Sequence, residues 1–125
     1  MREIRFRAWD EDDKVLRSWE ELILDKEDGD DYWMVGYKEN KVVTSYNHKQ
    51  ILMQYTGNTD KNGIEIYEDD LVAEEHGRIY RVVFKGDCWR CEPISRGSKN
   101  RWLSNYLEII GNIYENPELL ERDGE

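Results

Sequence analysis

Near the start of the chain, Ile4, Phe6 and Ala8 alternate with Glu3, Arg5, Arg7 and Trp9. A period of two sends alternate side chains to opposite faces, so this segment is predicted to be a half-buried strand. Asp10-Glu11-Asp12-Asp13 has no apolar position and reads as a turn. Val15-Leu16 and Glu21-Leu22-Ile23-Leu24 are short apolar stretches, each a strand or a brief helical turn. Asp28-Gly29-Asp30-Asp31 reads as a loop, since Gly and Asp accept turn geometry and nothing apolar anchors them. Tyr32-Trp33-Met34-Val35 is too short to classify. Glu39-Asn40 reads as a turn leading into a strand at Lys41-Val42-Val43-Thr44.

The second half is more regular. Ile51-Leu52-Met53-Gln54-Tyr55 is a strand candidate closed by Thr56-Gly57-Asn58, and Asp60-Lys61-Asn62-Gly63 is a tight turn whose Asn-Gly step tolerates positive φ. Ile64–Tyr67 and Asp70–Ala73 follow as short extended runs. Arg78-Ile79-Tyr80-Arg81-Val82-Val83-Phe84 is the strongest strand signal, being rich in β-branched and aromatic residues. Gly86-Asp87 then turns the chain into Cys88-Trp89-Arg90-Cys91-Glu92, a predicted hairpin. Residues 95–100 form a loop, and Tyr106–Tyr114 is the last strand, with Gly111 a bulge position. Asn116, Pro117 and Glu118 make a helix-start signature, so a short helix is expected over 116–122, burying Leu119 and Leu120. Strand signals every 8–12 residues indicate an all-β chain, a small barrel or sandwich.

Three stretches resemble the YopX family of phage and prophage proteins. They are Arg5-Phe6-Arg7-Ala8-Trp9-Asp10, the run from Leu52 through Asp60-Lys61-Asn62-Gly63 to Asp70-Leu71-Val72, and Ile110 to Leu120. Together they span nearly the whole chain in the expected order. The resemblance implies an SH3-like barrel over 50–115, an N-terminal β segment over 1–49, and a phage or prophage origin. It implies no catalytic residues. One position departs from the family pattern: Asp69 stands where Gly is usual, which puts the local turn shape in doubt.

With 125 residues the chain is expected to form one domain able to bury a core without disulfide or metal staples. Apolar residues are only 38%, but five Trp, eight Tyr and two Phe concentrate apolar area in few positions. No apolar run spans a membrane, no secretory h-region is present, and two cysteines make no disulfide framework, so cytoplasm is the expected location. The net charge is −10 and unevenly spread. Residues 10–31 hold eleven acids against three bases, whereas residues 76–102 hold seven bases against two acids. Such asymmetry orients partners or is satisfied within the fold.

Four constellations carry candidate chemistry. Cys88-Trp89-Arg90-Cys91 is a C-x-x-C, but on a strand its thiols face opposite sides, beyond disulfide reach. His48, His76, Cys88 and Cys91 supply the donor types of a zinc site with a spacing unlike common fingers. Glu65, Glu68, Asp69, Asp70, Glu74 and Glu75 are grouped carboxylates of the kind that bind Mg²⁺, with no Lys or Arg between them. The acidic run at 10–31 could present charge to a DNA-binding protein, though it reads as turns.

Finally, Arg78, Arg81, Lys85, Trp89, Arg90, Arg101 and Trp102, with Tyr80 and Phe84 between them, interleave cations and aromatics as nucleic-acid-binding barrels do. The net negative charge opposes a polyanion. The expectation is therefore a non-enzymatic accessory protein that needs no cofactor and binds a protein partner through this segment. Self-association through exposed strand edges is the accompanying expectation. The alternatives are a weak nucleic-acid binder and a metal-dependent enzyme acting on phosphate esters.

Overall fold

In the computed structural model, residues 4–25, 34–38, 42–43, 50–75, 77–94 and 99–120 are described. The protein is mostly β, with strands β1 (Phe6–Asp10), β2 (Val15–Arg17), β3 (Leu22–Asp25), β4 (Met34–Tyr37), β5 (Val42–Val43) and β6 (Gln50–Thr59) in its first half. The second half adds β7 (Glu65–Tyr67), β8 (Asp70–Ala73), β9 (Ile79–Lys85), β10 (Cys88–Pro93), β11 (Arg101–Trp102) and β12 (Glu108–Asn112). Among the described residues, no helix is long and apolar enough to cross a membrane. Two compact units form, one of Arg5–Gln54 and one of Ile4 together with the chain from Tyr55 onward.

In the first unit, β1 pairs antiparallel with β2 on one side and with the start of β6 on the other. The alternation around Phe6 and Ala8 predicts one buried face, but Arg7, Ala8, Trp9 and Asp10 are all buried, while Ile4 is 66% exposed. On the second face Arg7 Nη2 donates to Met53 Sδ at 3.6 Å and Trp9 Nε1 to Glu11 Oε2 at 2.9 Å, while Asp10 shares the Ala8 face with Arg17. Asp10 Oδ1 accepts the N–H groups of Asp12 and Asp13 at 3.2 Å each, closing the β1–β2 turn. Asp10 Oδ2 accepts from Arg17 Nη2 at 3.2 Å. Arg17 also reaches Asp13 at 3.2 Å and Glu21 at 3.4 Å, and its guanidinium lies 4.6 Å from the Tyr37 ring centre. Burial works against that charge, yet the bonds to Asp10 and Glu21 outweigh it and hold the Arg17 pKa above its ordinary value. Several acids of the 10–31 run thus serve an internal arginine, and residues 26–31 of that run lie outside the described residues. A 3-10 turn at Trp19–Glu21 leads into β3, which pairs with β4, and β4 pairs with β5. Ala8, Leu22 and Tyr37 form the core here, with Phe6, Trp19 and Leu52 packed on it.

In the second unit, β8, β9, β10 and β11 form an antiparallel meander, and β12 returns to pair with β8. Ile66, Val72, Tyr80, Val82, Cys91 and Leu107 make its core. The β9–β10 hairpin turns on Gly86 (φ 61°) and Asp87 (φ 68°). Positive φ at both central residues is the two-residue turn whose twist matches the flanking strands. The strand expected to close at Thr56-Gly57-Asn58 instead continues to Thr59 through a bulge. Gly57 (φ 89°) lies in that irregular stretch, where β6 carries two residues more than β7, and Thr56 Oγ1 donates to the Ile66 carbonyl at 2.8 Å.

The Asp60 turn ties distant parts of this unit together. Asp60 is 3% exposed. Its Oδ1 accepts from the N–H groups of Asn62 (2.8 Å) and Ile64 (2.9 Å), and Oδ2 accepts from Ile109 N–H (3.0 Å) on β12. Lys61 N–H donates to the Leu107 carbonyl at 2.9 Å.

The C-terminal helix expected over 116–122 is, within the described residues, a single 3-10 turn at Pro117–Leu120. Asn116, expected to cap that helix, spends its side chain elsewhere: Oδ1 accepts from Asn112 N–H at 3.2 Å. That places it over Gly111 at the β12 bulge, where an added Cβ would lie 2.6 Å from Asn116 Cγ. Gly111 is therefore required by close approach.

Candidate functional site

Register decides which of the candidate residues share a surface. Across β9 and β10, Tyr80 faces Pro93, Val82 faces Cys91 and Phe84 faces Trp89. Because side chains alternate, this set lies on the core side, and Trp89 packs there against Phe84 with ring centres 5.0 Å apart. Arg81, Val83 and Lys85 lie on the opposite side with Cys88, Arg90 and Glu92. On the edge strand β11, Trp102 pairs with Arg90 and so joins the outer face, whereas Arg101 pairs with Cys91 and points to the core side. The seven residues are thus divided: Arg81, Lys85, Arg90 and Trp102 outside, Trp89 and Arg101 inside, and Arg78 exposed just before β9.

Most of these cations already have a carboxylate. Arg81 donates from Nε (3.1 Å) and Nη2 (2.9 Å) to Asp69 Oδ1. Tyr114 Oη donates to the other oxygen of Asp69 at 3.1 Å, and burial together with that carboxylate pushes the Tyr114 pKa up to about 12. Asp69 itself has φ 68°, so it keeps the left-handed geometry that its departure from glycine put in doubt. Lys85 pairs with Glu92. Arg101 pairs with Glu74 at 3.0 Å and lies 5.8 Å from the Tyr80 ring centre. The Tyr80 hydroxyl also donates to Glu74, and these bonds hold the Glu74 carboxyl below its ordinary range.

Arg90 is different. Among the described residues no carboxylate lies within ion-pair distance of it. Its guanidinium sits 5.7 Å from the Trp102 ring centre, and Nε donates to Cys88 Sγ at 3.4 Å. Trp102 is 67% exposed.

Two concavities flank Arg101. One, of about 190 Å³, is lined by Arg90, Asn100, Arg101 and Trp102. The other, of about 660 Å³, has walls that include Lys61, Glu74, Arg101, Tyr106 and Glu108. Lys61 and Glu108, both in its walls, form an ion pair at 2.9 Å, and Tyr106 there is 84% exposed. Asn100, Tyr106 and the Lys61–Glu108 pair were not among the sequence candidates. The sequence pattern places Tyr106 at the start of the last strand, whereas β12 begins at Glu108, so the pattern carries no sign of its exposure.

The other constellations are taken apart by the fold. Cys88 and Cys91 lie on opposite faces of an unbroken β10, and both thiols are free. Cys91 is fully buried, which pushes its pKa up to about 11. His48 and His76 lie outside the described residues. Of the carboxylates, Asp69 serves Arg81 and Tyr114, Asp70 accepts from Tyr67 N–H at 2.8 Å, and Glu74 serves Arg101 and Tyr80. Among the described residues no three His, Cys, Asp or Glu side chains converge as a metal site.

The family model described as "YopX protein" matches residues 5–121. This chain belongs to the YopX family. Its fold is also similar to the crystal structure of protein EF1440 from Enterococcus faecalis, with a TM-score of 0.64 at 21% identity, over 97% of this chain and 100% of that one. None of the curated proteins matches. In this YopX chain, the Asp60-Lys61-Asn62-Gly63 motif that carries the resemblance does structural work: it anchors β12 and supplies Lys61 to one wall of the larger concavity.

Proposed function

We propose that this YopX protein is a non-enzymatic binding module of phage or prophage origin, acting in the cytoplasm on a protein partner, with its second unit an SH3-like barrel. The observation that carries this reading is the pair of concavities on either side of Arg101, each walled by a strongly exposed aromatic, Trp102 or Tyr106. Trp, Tyr and Arg are the residue types that dominate binding energy at protein interfaces, and a folded domain gains nothing by leaving such rings in water. Nucleic-acid binding through the same segment is the weaker reading. Arg81, Lys85 and Arg101 are each neutralised by a carboxylate, and the chain carries a net charge of −10. Among the described residues no three His, Cys, Asp or Glu side chains converge as a metal-dependent phosphoesterase would use them.

The test is capture from phage-carrying host cells with the tagged full chain, beside its Trp102→Ala variant, followed by light scattering of the eluate. A stoichiometric protein that is retained by the native chain and lost with Trp102→Ala supports the proposal. Light scattering also shows whether the chain alone self-associates. Co-purifying nucleic acid, released by salt, would instead establish the alternative.

A further inference from the structure

Arg90 is a half-buried cation on the outer face of the sheet, and the carboxylate two residues along its strand, Glu92, is taken by Lys85. The cation is held in place on both sides, by the Trp102 ring at 5.7 Å and by the Cys88 sulfur at 3.4 Å from Nε. It lines a preformed recess whose other walls come from Asn100, Arg101 and Trp102, the Arg101 guanidinium itself being turned to the core side and paired with Glu74. One guanidinium without a carboxylate among the described residues, set beside an exposed indole, forms a surface complementary to an anion with an apolar stem.

Size and charge narrow the occupant. The recess, about 190 Å³, lies below the roughly 300–1,000 Å³ typical of sites that hold a whole small molecule, and suits one side chain. A polyanion is disfavoured by the net charge of −10 and by the ion pairing of the neighbouring cations. A single acidic side chain on a protein surface brings the negative charge without that density. We infer that this recess is a carboxylate-binding site that seats an acidic side chain of the partner protein, with Arg90 forming the ion pair and Trp102 covering the stem. This inference rests on the binding-module reading.

The direct test uses the full chain and acetylated tetraglutamate as the probe, with acetylated tetralysine and a ten-nucleotide thymidine strand as controls. Nuclear magnetic resonance follows the Arg90 Nε–H and the Trp102 indole N–H. The expected result is a saturable shift of both signals with tetraglutamate, with no shift from tetralysine. Arg90→Met keeps the stem and removes the charge, so it weakens binding by roughly tenfold or more, the factor set by one charge-assisted hydrogen bond. Absence of a shift at millimolar tetraglutamate, equal affinity in Arg90→Met, or a tighter response to the thymidine strand each overturns the inference. A captured partner that survives Arg90→Met but not Trp102→Ala would also overturn it, while leaving the binding-module reading intact.

Discussion

Replacing Asp60 tests whether one buried carboxylate holds the second unit together. Its two oxygens accept three backbone N–H groups, two in its own turn and one on β12, at 2.8, 2.9 and 3.0 Å. Hydrogen bonds to a charged acceptor contribute about 1.5–3 kcal/mol each, but Asn62 and Ile64 are exposed, so water replaces their share after truncation. The Ile109 N–H is half-buried and has no such replacement. Asp60→Ala is therefore expected to cost about 2–4 kcal/mol, a large part of the roughly 5–15 kcal/mol that a domain commands. With a urea slope of about 1–2 kcal/mol/M, the unfolding midpoint read by tryptophan fluorescence falls by about 2 M. Asp60→Asn keeps one acceptor oxygen for the turn and sets an amide donor against Ile109 N–H, so the β12 arm alone is lost. In both variants the Ile109 amide should lose its protection from hydrogen exchange. An Asp60→Ala protein within about 0.5 kcal/mol of the native one, or unchanged exchange at Ile109, would refute the reasoning, since surface substitutions fall in that range.

The same group predicts an acid limb. Burial alone raises the Asp60 pKa, but the bonds from Ile109, Ile64 and Asn62 outweigh it and hold it below the ordinary range. Its stabilisation is then complete above the unfolded carboxyl pKa of about 3.9 and is lost as pH falls through the folded value, so Asp60→Ala flattens the stability profile below about pH 4.

The remaining predictions concern packing and the thiols. Gly111→Ala drives a Cβ into the Asn116 side chain and should cost about 1–3 kcal/mol, and clearly less when Asn116→Ala has removed the obstacle, a coupling that a double-mutant cycle in urea measures. Asp69→Ala should be less stable than Asp69→Gly by about 1 kcal/mol in the same assay, because both lose the bonds to Arg81 and Tyr114 but only Ala opposes φ 68°. Of the two thiols, native protein should expose only Cys88 to a disulfide-exchange reagent, with Cys91 reacting after unfolding and Cys88→Ser abolishing the fast phase. Because burial raises the Cys91 pKa, its share of stability is whole below the unfolded thiol value of about 8.5 and fades as pH rises through about 11.

Local physics was legible along the chain. Period-two patterning located β1, a β-branched and aromatic run located β9, and Gly86-Asp87 marked the turn between β9 and β10. The bulge at Gly111 and the turn at Asp60–Gly63 were readable for the same reason: they depend on which dihedrals a few neighbouring residues tolerate. What lay beyond reach depends on pairing between distant segments. That β1 buries both faces was decided by what packs on each: Leu22 and Tyr37 against Ala8 on one, and Met53 and Glu11 meeting Arg7 and Trp9 on the other. Asn116 carried the chemistry of a helix cap, but the Asn112 N–H and the open space over Gly111 claimed it first. The candidate surface shows the division most clearly. The sequence supplied its cations and aromatics, yet register alone placed Arg101 and Trp89 on the core side and Arg90 beside Trp102. Asp69, Glu92 and Glu74 then neutralised three of the cations and left Arg90 without a carboxylate among the described residues. Backbone preference is a property of a few consecutive residues, whereas a charge is satisfied by whatever the fold brings within about 4 Å of it.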